Sequence, residues 1–138
     1  MDVDEFFSTL MDRLEALLKP SKNEFIIKNV FEGELSNELI GRGGGCNHTS
    51  ERAESFLALS LPAKGKKNLN ECLSSFVCGE MLEGENAFFC EKCDKKVPTL
   101  KRQSIKKLPN QLMIVLKRFH FDLDTMQKIK INSYCEFP

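Results

Sequence analysis

GENAFFCEKCDKKVPTLKRQSIKKLPNQLMIVLKRF, residues 84–119, holds the densest information in this chain. It sets Cys90 and Cys93 in a Cys-x-x-Cys pair directly ahead of a basic tract and an apolar run ending in Leu116-Lys117-Arg118-Phe119. Two thiolates at that spacing can grip one side of a tetrahedral zinc ion from a tight turn. The unbroken run Leu112, Met113, Ile114, Val115 and Leu116 predicts a strand covered on both faces. Each side chain buried there contributes about 1.5–3 kcal/mol. A redox role for Cys90 and Cys93 fits less well, because redox pairs open a helix and this one runs into Lys95, Lys96 and Pro98.

Upstream, Val3, Phe6, Phe7, Leu10, Met11, Leu14, Leu17 and Leu18 recur at helical spacing, and Pro20 stops the pattern. Asp2 and Glu5 suit a capping pair at its start. So wide an apolar stripe needs neighbours, and few long helical partners exist in the sequence. A strand is predicted from Phe31 to Ile40, followed by the glycine-rich turn 41–45 and a second strand over Phe56–Leu61. Asn68 and Glu71 cap a short helix with Leu69, Cys72, Leu73, Phe76 and Val77 on its buried side, Cys78 close behind, and Gly79 ending it. Downstream, strands are predicted over Leu100–Lys107, Leu112–Phe121 and Ile129–Tyr134, the last two separated by a turn at Asp122–Thr125. The fold class is α+β: a long N-terminal helix followed by mostly antiparallel strands.

Twenty Lys and Arg balance twenty Asp and Glu among the 138 residues, so no global field recruits nucleic acid or a membrane surface. The lysines of the basic tract lack interleaved aromatic residues for base stacking, and a solvated surface accounts for them better. No apolar run approaches the roughly 20 residues of a membrane span. The acidic, amphipathic start resembles neither a signal nor a transit peptide. Two of the six cysteines fall among helical core positions and two have metal spacing, so reduced thiols in an intracellular compartment are expected.

The order Leu82-Glu83-Gly84-Glu85-Asn86, then Cys90-x-x-Cys93, then Leu108-Pro109 and Leu112 through Phe119 resembles the fingers-to-palm passage of ubiquitin-specific proteases. Asp2, Asp4-Glu5-Phe6, Cys46 and Glu136-Phe137-Pro138 fall where that family has related features, and Asp122 through Asn132 is similar to its HAUSP-like branch. The resemblance spans the chain. It implies a partial papain-like cysteine-protease domain, with residues 1–19 the end of a thumb helix, 31–107 the fingers with one short helix, and 108–138 the start of the palm. It further implies a deubiquitinating thiol isopeptidase whose partners are ubiquitin and ubiquitinated proteins. The alternative is a non-catalytic zinc-ribbon or ubiquitin-binding interaction module.

By the same resemblance, Glu83 matches an acidic residue that holds arginines near ubiquitin's C-terminal tail, which suits a carboxylate–guanidinium pair. Cys46, ahead of Glu54-Ser55-Phe56, stands where a cysteine of a second metal-binding pair belongs, but Gly43 occupies its partner's place. Cys46, Cys90 and Cys93 are therefore the expected ligands of a structural Zn²⁺. His48 is a candidate fourth ligand at a crowded Cys-x-His spacing, and a metal-free finger with apolar-packed cysteines stays open. A thiol protease needs a cysteine, a histidine and a group orienting the histidine. Among Cys72, Cys78, Cys135, His48 and His120 none matches the family's catalytic boxes, so no catalytic residue is assigned and the chain alone is expected to be inactive.

Overall fold

The computed structural model describes residues 3–137. Helix α1 spans Val3–Leu18. The proposed Asp2 cap lies outside the described residues. Phe7 and Met11 are buried against Ile27, with Leu14, Leu18, Phe31, Leu57 and Ala58 packed around them. The other half of the stripe stays open: Val3 is 72% and Leu17 76% exposed. Pro20 does end the helix, and Ser21 seals it by donating its backbone N–H (2.8 Å) and hydroxyl (2.7 Å) to the Leu18 carbonyl.

A second helix, α2 (Ile26–Phe31), precedes the first strand and occupies residues too few to show a periodicity. Strand β1 (Gly33–Gly41) pairs antiparallel with β2 (Thr49–Phe56) on one side. On the other side it pairs with β7 (Thr99–Lys107), which also takes the short β4 (Glu80–Leu82). These four form one sheet in the order β2-β1-β7-β4.

The segment predicted as one strand over Phe56–Leu61 divides at Leu57. Phe56 ends β2, its ring lying where a Cβ on Gly33 would stand. Ala58–Pro62 forms β3, which pairs parallel with β8 (Met113–Lys117). The division lets Leu59 and Leu61 turn into the core, where they are 1% and 0% exposed. The Leu112–Phe121 run likewise divides at Arg118, and β9 (Phe119–Asp122) pairs with β10 (Gln127–Lys130) in a separate hairpin. Arg118 holds the junction, donating to the carbonyls of Ile131 (3.4 Å) and Ser133 (2.7 Å). Strand β8 is less fully covered than its composition predicts: Ile114 and Leu116 meet the core and Val115 is half-buried, while Met113 is exposed.

Helix α3 (Leu69–Val77) begins at Asn68, whose Oδ1 accepts from the Glu71 N–H at 2.9 Å. The Glu71 carboxylate in turn accepts from the Lys67 N–H at 2.9 Å. Cys72 is buried as expected, whereas Cys78 is an exposed, extended residue that closes the helix. Gly79 serves close approach and not a left-handed turn, since a Cβ there would press on Leu100 and Arg102. Leu69, Leu73 and Phe76 pack on Leu35, Leu59, Leu61, Cys72 and Cys135 to complete the main core.

Leu61→Ala should lower unfolding free energy by about 2–5 kcal/mol, because a fully enclosed leucine leaves a cavity. Asn68→Ala should cost about 1 kcal/mol through loss of the cap. Urea denaturation of both variants measures the difference; equal losses would contradict this division between core and cap.

Candidate metal centre

Two loops converge beyond the ends of β1 and β7. The first joins β1 to β2 and is turned by Gly44 and Gly45, both with positive φ (62° and 76°). Its backbone is fixed by Cys46 N–H to the Gly43 carbonyl (3.0 Å) and Gly41 N–H to the His48 carbonyl (2.9 Å). The second is the hairpin of β5 (Phe88–Cys90) and β6 (Lys95–Val97), where Cys93 N–H donates to the Cys90 carbonyl at 3.1 Å. Arg42 N–H to the Pro98 carbonyl (2.8 Å) and Lys95 Nζ to the Gly44 carbonyl (2.8 Å) tie the two together.

This closure brings the three expected cysteines into one cluster and adds His48. The Sγ atoms of Cys46, Cys90 and Cys93 and a ring nitrogen of His48 all lie within 4.8 Å of one another. Cys46 Sγ and Cys90 Sγ are 3.7 Å apart. His48 Nδ1 stands 3.7 Å from Cys46 Sγ, 3.6 Å from Cys90 Sγ and 3.3 Å from Cys93 Sγ. A tetrahedron with metal–sulfur bonds of ~2.3 Å and a metal–nitrogen bond of ~2.0 Å has edges of about 3.8 Å between sulfurs and about 3.5 Å from sulfur to nitrogen. The cluster fits those edges, and its four donors can hold a metal ion. The crowded Cys-x-His spacing is accommodated because His48 presents Nδ1, the ring nitrogen nearer its backbone. Gly43, by contrast, is set against Pro98, whose ring atoms would lie 3.0–3.3 Å from any Cβ there. The sequence signal for His48 was its place two residues after Cys46; only the folded loops show which atom faces the thiols.

The cluster is electrostatically uneven. Burial pushes the Cys90 thiol up, but contacts from His48, the Cys93 and Lys92 backbone and Cys46 outweigh it and bring it down to about 6. Cys93 is pushed up to about 11 by its contact with Cys46, then by burial and by Cys90. The protein's own groups thus favour one thiolate and oppose a third, a conflict that a divalent cation at the centre removes.

The remaining candidates lie elsewhere. Glu83 follows β4 in an exposed turn, its backbone carbonyl accepting from the Asn86 N–H (3.1 Å), ahead of Gly84, whose φ is 59°. His120 Nε2 meets Lys64 Nζ at 3.0 Å. Cys72 and Cys135 face each other at 3.9 Å inside the core, where burial pushes the Cys72 thiol up. No cysteine–histidine contact occurs outside the metal cluster among the described residues. Much of the basic tract is engaged within the chain: Arg102 with Glu38 (2.8 Å), Lys106 with Glu51 (2.9 Å) and Glu34 (3.5 Å), and Lys101 with Glu80 (3.3 Å). No helix is long and apolar enough to cross a membrane among the described residues.

Comparison with known proteins agrees with this architecture. The family model for ubiquitin carboxyl-terminal hydrolase matches residues 1–138. The chain is 44% identical over 137 residues to human ubiquitin carboxyl-terminal hydrolase 9Y and 43% identical to mouse ubiquitin carboxyl-terminal hydrolase 24. Each match covers 99% of this chain and 5% of the relative, so the chain spans a small part of their length. Among solved structures, the SAGA Ubp8/Sgf11/Sus1/Sgf73 DUB module bound to ubiquitin aldehyde matches with a TM-score of 0.81 and 32% identity, covering all of this chain and 31% of that one. With the match running from end to end, a freestanding zinc ribbon is not favoured. The chain belongs to the ubiquitin carboxyl-terminal hydrolase family.

Proposed function

We propose that this chain forms the ubiquitin-cradling part of a deubiquitinating thiol isopeptidase that acts on ubiquitinated proteins inside the cell. The observation that carries the proposal is the end-to-end fold match to a module bound to ubiquitin aldehyde. Residues 1–19 supply the end of the thumb, 31–107 the fingers and 108–138 the first palm strands. Cys46, His48, Cys90 and Cys93 hold a structural zinc, which closes the loop at 42–48 onto the β5–β6 hairpin. Glu83 holds an arginine near ubiquitin's C-terminal tail through a charge-assisted pair.

Catalysis by this chain alone is not expected. Nucleophilic catalysis by a thiol requires an imidazole free to take its proton. His48 is committed to the cysteine cluster and His120 to Lys64. The purified chain should release no fluorophore from a ubiquitin C-terminal amide. Turnover abolished by Cys72→Ala or Cys135→Ala would overturn this assignment.

Purified protein should bind one zinc per chain, with X-ray absorption showing three sulfurs at ~2.3 Å and one nitrogen at ~2.0 Å. His48→Ala should weaken zinc beyond the roughly 10–100-fold cost of losing a ligand's hydrogen-bond partner. Zinc affinity unchanged in His48→Ala would remove His48 from the ligand set.

In the complete catalytic domain, Glu83→Ala should remove about 1.5–3 kcal/mol of binding, a loss of about 10- to 100-fold in ubiquitin affinity or catalytic efficiency. Glu83→Lys should do worse, and Glu85→Ala should matter less. Equal effects at Glu83 and Glu85 would indicate a diffuse acidic surface in place of a specific pair.

A further inference from the structure

The four donors of the metal cluster are not equally enclosed. Cys46 and Cys90 are buried, at 2% and 7% exposure, whereas Cys93 is half-buried and His48 exposed. A cleft bordered by Thr49, Phe88 and Glu91 reaches Cys46, His48 and Cys90, while Cys93 lies outside it. By exposure, the edge of the centre formed by His48 and Cys93 is the more open to small solutes. The two cysteines of the hairpin also belong to one tight turn, joined by the Cys93 N–H to Cys90 carbonyl bond. They can approach each other by local movement, while Cys46 sits on a separate loop.

We propose that Cys93 is an oxidant-accessible ligand, and that hydrogen peroxide converts Cys93 and Cys90 to a disulfide with release of the zinc. The proposal rests on the zinc reading above. The Cys93 thiolate attacks one peroxide oxygen; the O–O bond breaks, an S–O bond forms, and hydroxide departs, leaving a sulfenic acid. The Cys90 thiolate then attacks the Cys93 sulfur, forming S–S and breaking S–O, and a second hydroxide departs. Two protons convert both hydroxides to water. The cysteine sulfurs lose two electrons, the peroxide gains them, and zinc remains divalent throughout. Cys46 and His48 are then the only two ligands left, too few to retain the ion against water.

The core supplies an internal contrast. Cys72 and Cys135 lie 3.9 Å apart, within the 4.8 Å that bounds the donors of the cluster, yet they are 0% and 3% exposed among leucines. Proximity alone would oxidise that pair as well; access selects Cys93. Cys78 is exposed but solitary, so its oxidation leaves the metal in place.

The test uses zinc-loaded protein, with metal content measured before oxidant is added. Increasing hydrogen peroxide is then followed with a chromogenic zinc chelator and by mass spectrometry after thiol alkylation. Zinc release should keep pace with a Cys90–Cys93 disulfide, while Cys72 and Cys135 still alkylate. Dithiothreitol with added zinc should restore the metal. Cys78→Ser protein should release zinc at the same rate as the parent. Zinc retained at peroxide levels that fully oxidise Cys78 would overturn the proposal and leave the zinc reading intact, as would zinc lost while Cys93 still alkylates. Protein that binds no zinc before oxidation would overturn both.

Discussion

The parallel pairing of β3 with β8 is the constraint on which the rest of the structure depends. Parallel neighbours cannot be joined by a turn, so the chain between them must travel away and come back before the second strand is laid down. Helix α3 opens that excursion and covers Leu59 and Leu61. Strand β7 closes it by running antiparallel to β1, which places the four-stranded sheet beside the core. Enclosure of β3 under α3 thus fixes the hydrophobic centre against which the β2-β1-β7-β4 sheet is laid.

The outer side of the four-stranded sheet has little apolar material of its own. Strand β2 is exposed along nearly its whole length, and its own residues are mostly polar or charged. Glu38 is held below the usual carboxylate range by hydrogen bonds from Ser104 and Arg102, and Glu51 by hydrogen bonds led by Lys106. Exposed pairs of this kind add little net stability, so the distal end needs a different fastening. The cluster of Cys46, His48, Cys90 and Cys93 stands at that end, joining segments 42 residues apart between His48 and Cys90.

Sequence reading recovered the elements whose signal is local. The Asn68 cap, the α1 stripe, β7 and the Asp122–Thr125 turn all depend on neighbours a few positions away. It erred where distant contacts decide. Phe56–Leu61 and Leu112–Phe121 each read as one strand because their composition is continuous, yet each divides where the chain passes from one sheet to another. Short α2 is held by remote groups, including Asn110 Nδ2 on the Asn29 carbonyl at 2.9 Å, which no local pattern announces. The three cysteines were legible from spacing and resemblance. The atom of His48 that joins them was not, because it depends on the relative placement of two loops.

The seat of Gly43 against Pro98 has a consequence for how such a centre can change its ligands. A cysteine at position 43 would bring its Cβ within 3.0–3.3 Å of the Pro98 ring, so ring and loop would have to part by a few tenths of an ångström. A fourth thiolate from that position is thus tied to how far Pro98 can yield. The present donor set also carries one negative charge fewer, since neutral imidazole replaces a thiolate. With a divalent ion at its centre, the four-donor cluster itself would bear a net charge of minus one, in place of minus two, toward whatever surface approaches it.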